Sequence, residues 1–424
     1  MKILQLAATV LTTIGRGQAL FTSCPNVSGS VSQYNTAPGW SYVKVAGELH
    51  SPRDLTLDSQ GRLLIVEEGI GLSQHLVDAS GCITNTRLLV SNPDLNHGIC
   101  FGLDEATLYA SSPSSVFSWS YDPTTGNVDQ NPAQVISGMA TSGHNTRTLI
   151  APPHHPNLLV VSHGSDGNID RDASNPKTAR AIVKVFNMSS TPTGGYNFAT
   201  DGWNAGFGLR NEVGLAFDGN NMLWGVENSA DNLARTVNGS TTDVHTDNPS
   251  EELNFLGDVT TANDDWYGYP VCFTVWSPNE LPDRDFKVGQ QFVQAPIASF
   301  DDDMCARLSM PPILSFQAHS APLGCKFDAK FSNLFVAIHG SWNRQPPTGY
   351  KVVAVPFSQL ADGSYAPTAA SWSVRGSIDV FYPPDESQCT SSTCIRPVGL
   401  TFDSAGRLYV TSDTSGELFL LSQG

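Results

Sequence analysis

The chain has 424 residues, a formal net charge of −17 and only 15% charged residues, alongside 37 Gly and 27 Pro. So few charges argue against long solvent-facing helices, which need more Lys, Glu and Arg, and favour many short strands joined by tight turns. The acidic balance speaks against nucleic acid or an anionic membrane as partner, because both demand a positive surface.

In chain order, Met1 and Lys2 precede an apolar stretch at 3–14, and Gly17-Gln18-Ala19 sets small residues at a cleavage site. Residues 1–19 are therefore predicted to be a secretory signal peptide, leaving 20–424 as a single secreted domain. No other segment reaches eighteen apolar residues, so no membrane span is expected. Eight cysteines, Cys24, Cys82, Cys100, Cys272, Cys305, Cys325, Cys389 and Cys394, predict disulfides in an oxidising compartment. Only Cys389 and Cys394 are close enough in sequence to suggest a pair. Sequons at Asn26, Asn187 and Asn238 agree with secretion and predict a glycoprotein.

The organising signal is a repeat. Six times the chain writes an apolar strand, a turn and a second strand, beginning at Leu55, Ile99, Leu149, Gly214, Gly324 and Gly399. Phe-Asp or Leu-Asp precedes a turn of Gly, Asn or Ser in several of them, which is hairpin chemistry. A hairpin alone cannot bury both faces, so the six must stack. Constant hairpins at irregular spacing predict an all-β fold, a six-bladed β-propeller, over the shorter and more regular coils of a parallel β-helix. The long gap between the fourth and fifth echoes holds either a seventh blade or an insertion. Residues 251–318 carry no clear echo and are read as an insertion.

In a propeller, residues just ahead of each innermost strand gather at one mouth of the channel. Those positions hold Arg53, Asn96, His97, His144, Arg147, Arg210, Asn211, His319 and Arg396, and Arg344 can reach the same side. Five arginines converging there repel one another unless an anion pairs with them, and Arg binds carboxylates bidentately. The competing reading is that each arginine caps strand-end carbonyls or pairs with an acid between blades. His144, five residues ahead of a repeat and three before Arg147, is the best histidine for proton transfer. The runs 166–172 and 301–303 are read as solvated acidic turns; the first does not match an EF-hand loop. No dinucleotide-binding, P-loop, zincin or nucleophile-elbow motif occurs.

With these residues assembled, the chain resembles the pyrroloquinoline quinone (PQQ)-dependent sugar dehydrogenases of six-bladed propeller fold, the fungal pyranose dehydrogenases among them. The resemblance runs from about Arg53 to the C-terminus and rests on "LRNEVGLAFD", "AHSAPLG", "HGSWNRQPPTGYKVV" and "RPVGLTFD". It implies that Arg210 and Asn211 contact PQQ near its reactive C5 carbonyl, and that His144 is the general base. By the same resemblance Arg53, Arg344 and Arg396 lie about the cofactor's carboxylates, with Arg396 holding one of them, and Arg147 joins the cofactor-binding residues through its place at the mouth. It further implies Ca²⁺ on the backbone carbonyls of Ser229 and Ala230, where bacterial glucose enzymes have Gly-Pro. Trp342, Tyr267 and Trp266 are candidates for sugar stacking, with ordinary core packing as the alternative. The implied substrate is a pyranose or 2-keto sugar, and the implied electron acceptor is a separate secreted protein bearing a cytochrome, or a copper monooxygenase. Two other functions remain open at this point, a Ca²⁺-dependent lactonase or esterase centred on Glu227 and Asp231, and a non-catalytic glycan-binding propeller.

Overall fold

The computed structural model describes residues 22–27, 33–102 and 104–424, so the expected signal peptide lies outside the described residues. Six sheets, antiparallel apart from one short parallel pairing at the edge of each of two, stand around a central channel. Their innermost strands are Pro52–Leu57, Ile99–Phe101, Leu149–Ile150, Glu212–Phe217, Pro322–Phe327 and Pro397–Phe402, one at each predicted echo, and these strands touch one another around a closed ring. The blades are numbered 1 to 6 in that order. The ring closes where Trp40–Ala46 adds antiparallel to Glu417–Gln423 as the next strand of blade 6.

The hairpins owe their shape to the aspartates seen in the repeat. In blade 4, Oδ1 of Asp218 accepts from the amides of Asn220 at 2.9 Å and Met222 at 3.0 Å. Asp58, Asp328 and Asp403 close their own turns in the same way. Such a turn satisfies backbone donors that the ladder leaves free. Between neighbouring blades lie buried clusters. Leu64, Val66, Leu108 and Trp119 join blades 1 and 2, for instance, and Val226, Leu253, Val336 and Val353 join blades 4 and 5. Near the axis there is no room for side chains: a Cβ on Gly324 of blade 5 would stand 2.2 Å from the carbonyl oxygen of Val398 in blade 6.

Residues 251–318 differ in part from expectation. They supply two outer strands of blade 4, Glu251–Gly257 and Leu314–Phe316, and the insertion is the stretch between them. It holds a two-stranded ribbon, Cys272–Thr274 with Gln291–Val293, and a short helix, Asp302–Leu308, joined by the Cys272–Cys305 disulfide. Residues 301–303 are therefore not a solvated turn. Asp301 caps the helix, and buried Asp302 receives two hydrogen bonds from Arg235, at 3.0 and 2.8 Å. Cys389–Cys394 is bonded, as its spacing suggested, and Cys24–Cys82 is the third bridge. Cys100 and Cys325 stay free, on innermost strands that line the channel beside Asp54 and Lys326.

Candidate active site at the channel mouth

His144 stands ahead of blade 3, and its position is fixed by Ser165. The His144 amide donates to the Ser165 carbonyl at 2.9 Å, and the Ser165 amide donates to the Arg210 carbonyl at 2.8 Å. Gly164 lies between them. A Cβ there would sit 2.6 Å from both His144 Cβ and Asn211 Oδ1, so only glycine lets the two side chains flank the same point. Nδ1 of His144 faces the Ser165 carbonyl and hydroxyl, each at 3.1 Å. That hydroxyl already donates to the Gly167 carbonyl at 2.7 Å, so both oxygens act as acceptors and Nδ1 carries the proton. The lone pair is consequently on Nε2, which has no protein partner among the described residues. Burial, followed by the Arg210 charge, pushes the imidazole pKa down to about 4. At neutral pH His144 is an uncharged base with an open Nε2. The Asn211 carboxamide beside it also makes no side-chain hydrogen bond among the described residues.

Arg210, 4% exposed, is held by residues of blades 3 and 4. Nε donates to the Asn168 carbonyl at 3.1 Å, Nη1 to the Asn228 and Ser229 carbonyls at 3.1 and 2.5 Å, and Nη2 to Asn168 Oδ1 and Asp231 Oδ2 at 3.0 Å each. Asp231 in turn accepts from Asn343 Nδ2 at 2.9 Å and lies 3.5 Å from His319 Nδ1, both contributed by blade 5. Beneath them Glu227 receives the Arg210 amide at 2.6 Å and Glu251 the Ser229 amide at 2.7 Å. Burial raises both carboxyls, Glu251 to about 7 and Glu227 well above its ordinary value. Asn168 carries no signal in the sequence, since 166–172 has the composition of a solvated acidic turn. Its aspartates instead surround Arg180, at 3.0 to 3.3 Å, and so hold Asn168 under Arg210.

The opposite side of the mouth carries a second chain of contacts. Arg53 Nη1 pairs with Asp413 at 2.6 Å, and its Nη2 donates to His97 Nδ1 at 3.3 Å. His339 Nε2 donates to the same Asp413 at 3.0 Å, while Arg396 Nη2 donates to His339 Nδ1 at 2.8 Å and to the Gly340 carbonyl at 3.1 Å. Burial works against ionising Asp413, but His339 and Arg53 outweigh it and hold the carboxyl far below the usual range. Arg396 Nη1 has no protein partner among the described residues. Burial lowers its pKa without removing its charge.

Two of the predicted cofactor arginines are placed differently from expectation. Arg147 is fully buried. It donates to the carbonyls of Pro113, His144, Thr146 and Ala140, so its guanidinium braces the loop behind His144 and does not reach the mouth. Burial lowers its pKa to about 9. Arg344 pairs with Asp247 at 2.6 Å and with the Thr246 carbonyl at 3.1 Å. Repulsion among the arginines is in part relieved within the protein, since Arg53, Arg210 and Arg344 each have an aspartate of their own. Trp266 and Tyr267 belong to the core side, with Tyr267 donating to the Phe255 carbonyl and Trp266 to the Tyr269 carbonyl. Trp342 differs, being 72% exposed beside Asn343. Glu227, the acid that kept a hydrolase open, is spent on the Arg210 amide and on Asn254.

Fold and mouth together define a six-bladed propeller with an uncharged histidine base, an unpartnered asparagine and an arginine with free donors around one end of its channel. A family model described as TrAA12-like matches residues 34–424, and the chain belongs to that family. It is similar to a pyrroloquinoline quinone-dependent pyranose dehydrogenase of Coprinopsis cinerea, at 40% identity over 415 residues, covering 95% of this chain and 56% of that relative. The chain thus spans little more than half of that protein's length. The holo form of the PQQ domain of the Coprinopsis cinerea pyranose dehydrogenase superposes with a TM-score of 0.92 at 40% identity, covering 95% of this chain and all of that one. A calcium structure of the Trichoderma reesei enzyme of carbohydrate-active family AA12 superposes with a TM-score of 0.88 at 35% identity, with the same coverage of both chains.

The mouth suits PQQ, a planar quinone with three carboxylates, in two respects. Arg396 has donors to spare, and Asn211 and His144 present open polar atoms on one side. For a cation, Ser229 and Ala230 offer backbone carbonyls, the hard oxygen donors that Ca²⁺ takes. One of these oxygens, on Ser229, is already engaged by the Arg210 guanidinium.

Proposed function

We propose that this protein oxidises pyranose sugars at C1, using PQQ together with Ca²⁺. The observation that carries the reading is His144: an uncharged imidazole with its lone pair on an open Nε2, set against Asn211 at the mouth of a fold shared with a PQQ-bearing relative. When bound, PQQ supplies the acceptor for the hydride leaving sugar C1, and Ca²⁺ supplies Lewis acidity.

The remaining work falls to the chain. His144 Nε2 takes the proton of the C1 hydroxyl as hydride leaves, and the Ser165 carbonyl and hydroxyl stabilise the imidazolium through Nδ1. Asn211 orients the reacting end of the site by donating from its carboxamide. Arg396 Nη1, and Arg53 behind it, hold a cofactor carboxylate. Ser229 and Ala230 would carry the cation, and Arg210 would provide positive charge beside them. Trp342 offers its exposed face to a sugar ring. The resemblance to the Trichoderma reesei calcium structure and the oxygen-only donor set support the choice of ion.

Three disulfides support secretion, and among the described residues no helix is long and apolar enough to cross a membrane. We infer N-glycans at the sequons and electron delivery to a separate acceptor, a cytochrome-bearing protein or a copper monooxygenase. An acidic surface favours a partner with a basic docking patch.

The test is calorimetric titration of the apo-protein with PQQ and Ca²⁺, then dye reduction with a panel of pyranoses. Ca²⁺-dependent PQQ binding with sugar-dependent turnover is expected. Absence of PQQ binding ends the reading.

A further inference from the structure

All five N–H groups of Arg210 are committed to protein oxygens, one from Nε, two from Nη1 and two from Nη2. An arginine in this state has no donor left for a quinone oxygen. Its two Nη1 bonds end on the carbonyls of Asn228 and Ser229, the second of which is a carbonyl assigned above to the cation. The guanidinium therefore sits where positive charge is wanted whether or not a metal ion is bound. The bonds differ in how firmly they anchor it. Asn168 takes Nε and one Nη2 hydrogen with its carbonyl and side chain, and also grips Asp231 from both ends of the peptide: the Asp231 amide donates to Asn168 Oδ1 and Asn168 Nδ2 donates to the Asp231 carbonyl, each at 2.7 Å. Asp231 is further fixed by Asn343. The Nε and Nη2 side is thus a rigid pivot, while the Nη1 side rests on two neutral carbonyls.

We propose that Arg210 is a displaceable internal cation. A divalent ion arriving on the Ser229 carbonyl expels Nη1, the guanidinium turns about its Asp231 and Asn168 anchor, and the two freed N–H groups are the ones that meet the cofactor. A +2 ion wins this exchange because carbonyl oxygens coordinate Ca²⁺ directly, at 2.3–2.6 Å in general, whereas Nη1 offers only part of a delocalised charge. Two consequences follow. The metal-free protein keeps its mouth ordered, since Arg210 neutralises the segment 228–231. Metal and cofactor also bind cooperatively, because both favour Arg210 with Nη1 drawn off the Ser229 carbonyl, and the coupling is reciprocal. This inference rests on the cation reading made above, and it assigns Arg210 a role apart from contact with substrate.

Calorimetry of the apo-protein with Ca²⁺, repeated with Tb³⁺ by luminescence, tests it in wild type, Arg210→Ala and Arg210→Lys. Arg210→Ala is expected to bind Ca²⁺ about 5- to 150-fold more tightly than wild type, the usual range of such couplings, and to lose the dependence of PQQ affinity on Ca²⁺. Arg210→Lys, with three donors in place of five, keeps the fold if alanine does not, and should bind Ca²⁺ more tightly than wild type by a smaller factor. Equal or weaker Ca²⁺ affinity in the folded variants overturns the proposal. No binding of either ion by wild type or variant removes the cation site and the proposal with it. Ca²⁺ binding that tightens as expected, with no PQQ binding by any form, upholds the displacement and ends the dehydrogenase reading.

Discussion

Two sides of one mouth solve the same electrostatic problem differently. On the blade 3, 4 and 5 side, Arg210 spends every donor on protein oxygens and stands against Asp231. On the blade 5, 6 and 1 side, Arg53 pairs with Asp413 and Arg396 with His339, which bond each other, and Arg396 keeps Nη1 free among the described residues. The first side is compensated, whereas the second sets two arginines against one aspartate, so convergence leaves an unpaired positive charge only there. What distinguishes the sides is spare capacity. The saturated side fixes geometry around His144, and the unsaturated side has donors left for an anion.

The comparison breaks most severely at the residue it surrounds. His144→Ala should lower turnover by about 10²- to 10⁴-fold, the usual contribution of a general base, with PQQ affinity and melting temperature close to wild type. Stopped-flow reduction of the bound cofactor by sugar checks this. Next in size is the arginine that turned out to be buried. Arg147→Ala leaves four carbonyls without their donor and should destabilise the fold by about 3 kcal/mol in urea unfolding, while the folded fraction still binds PQQ normally. Arg396→Lys should do the reverse, weakening PQQ about tenfold with no shift of the urea midpoint, because a single ammonium cannot replace the planar fork at a carboxylate.

The pH profile sharpens the comparison further. The base proposed at His144 must be unprotonated to act, and burial followed by Arg210 pushes the His144 pKa down to about 4. Hence kcat/KM of the loaded enzyme should stay level from neutral pH to about 5 and drop by about tenfold for each unit below 4. A midpoint near 6.5 would mean that the Arg210 side does not close around the imidazole. The smallest effect is expected at Trp342. Its alanine variant should raise the sugar KM about two- to fivefold and leave stability unchanged, since the indole is 72% exposed.

Much of this was legible in the chain itself. The six hairpins could be read because their register is local: an aspartate such as Asp218 bonds amides two and four residues away, so the turn is written within one short stretch. The repeat phase then located His144, Asn211, Arg210, Arg53 and Arg396 around one channel end. Phase says where a backbone segment starts and not where a long side chain goes, and Arg147 shows the limit. It occupies the same repeat position as Arg53, yet it folds back onto the carbonyls of its own loop. Asn168 was missed for a related reason, since an acidic stretch looks solvated until Arg180 is known to lie among its aspartates.

Sequence alone determined the closed ring of six blades, because hairpin turns and alternating apolar strands are set by neighbours in the chain. It also determined which backbone segments begin at the mouth. Only the tertiary structure decided how those residues are partnered. Asp413 meets Arg53 across 360 positions and Asn343 meets Asp231 across 112. Contacts of that separation arise from blade packing, and the charge balance of the mouth, with His144 uncharged and Arg210 saturated, is settled only once the ring has closed.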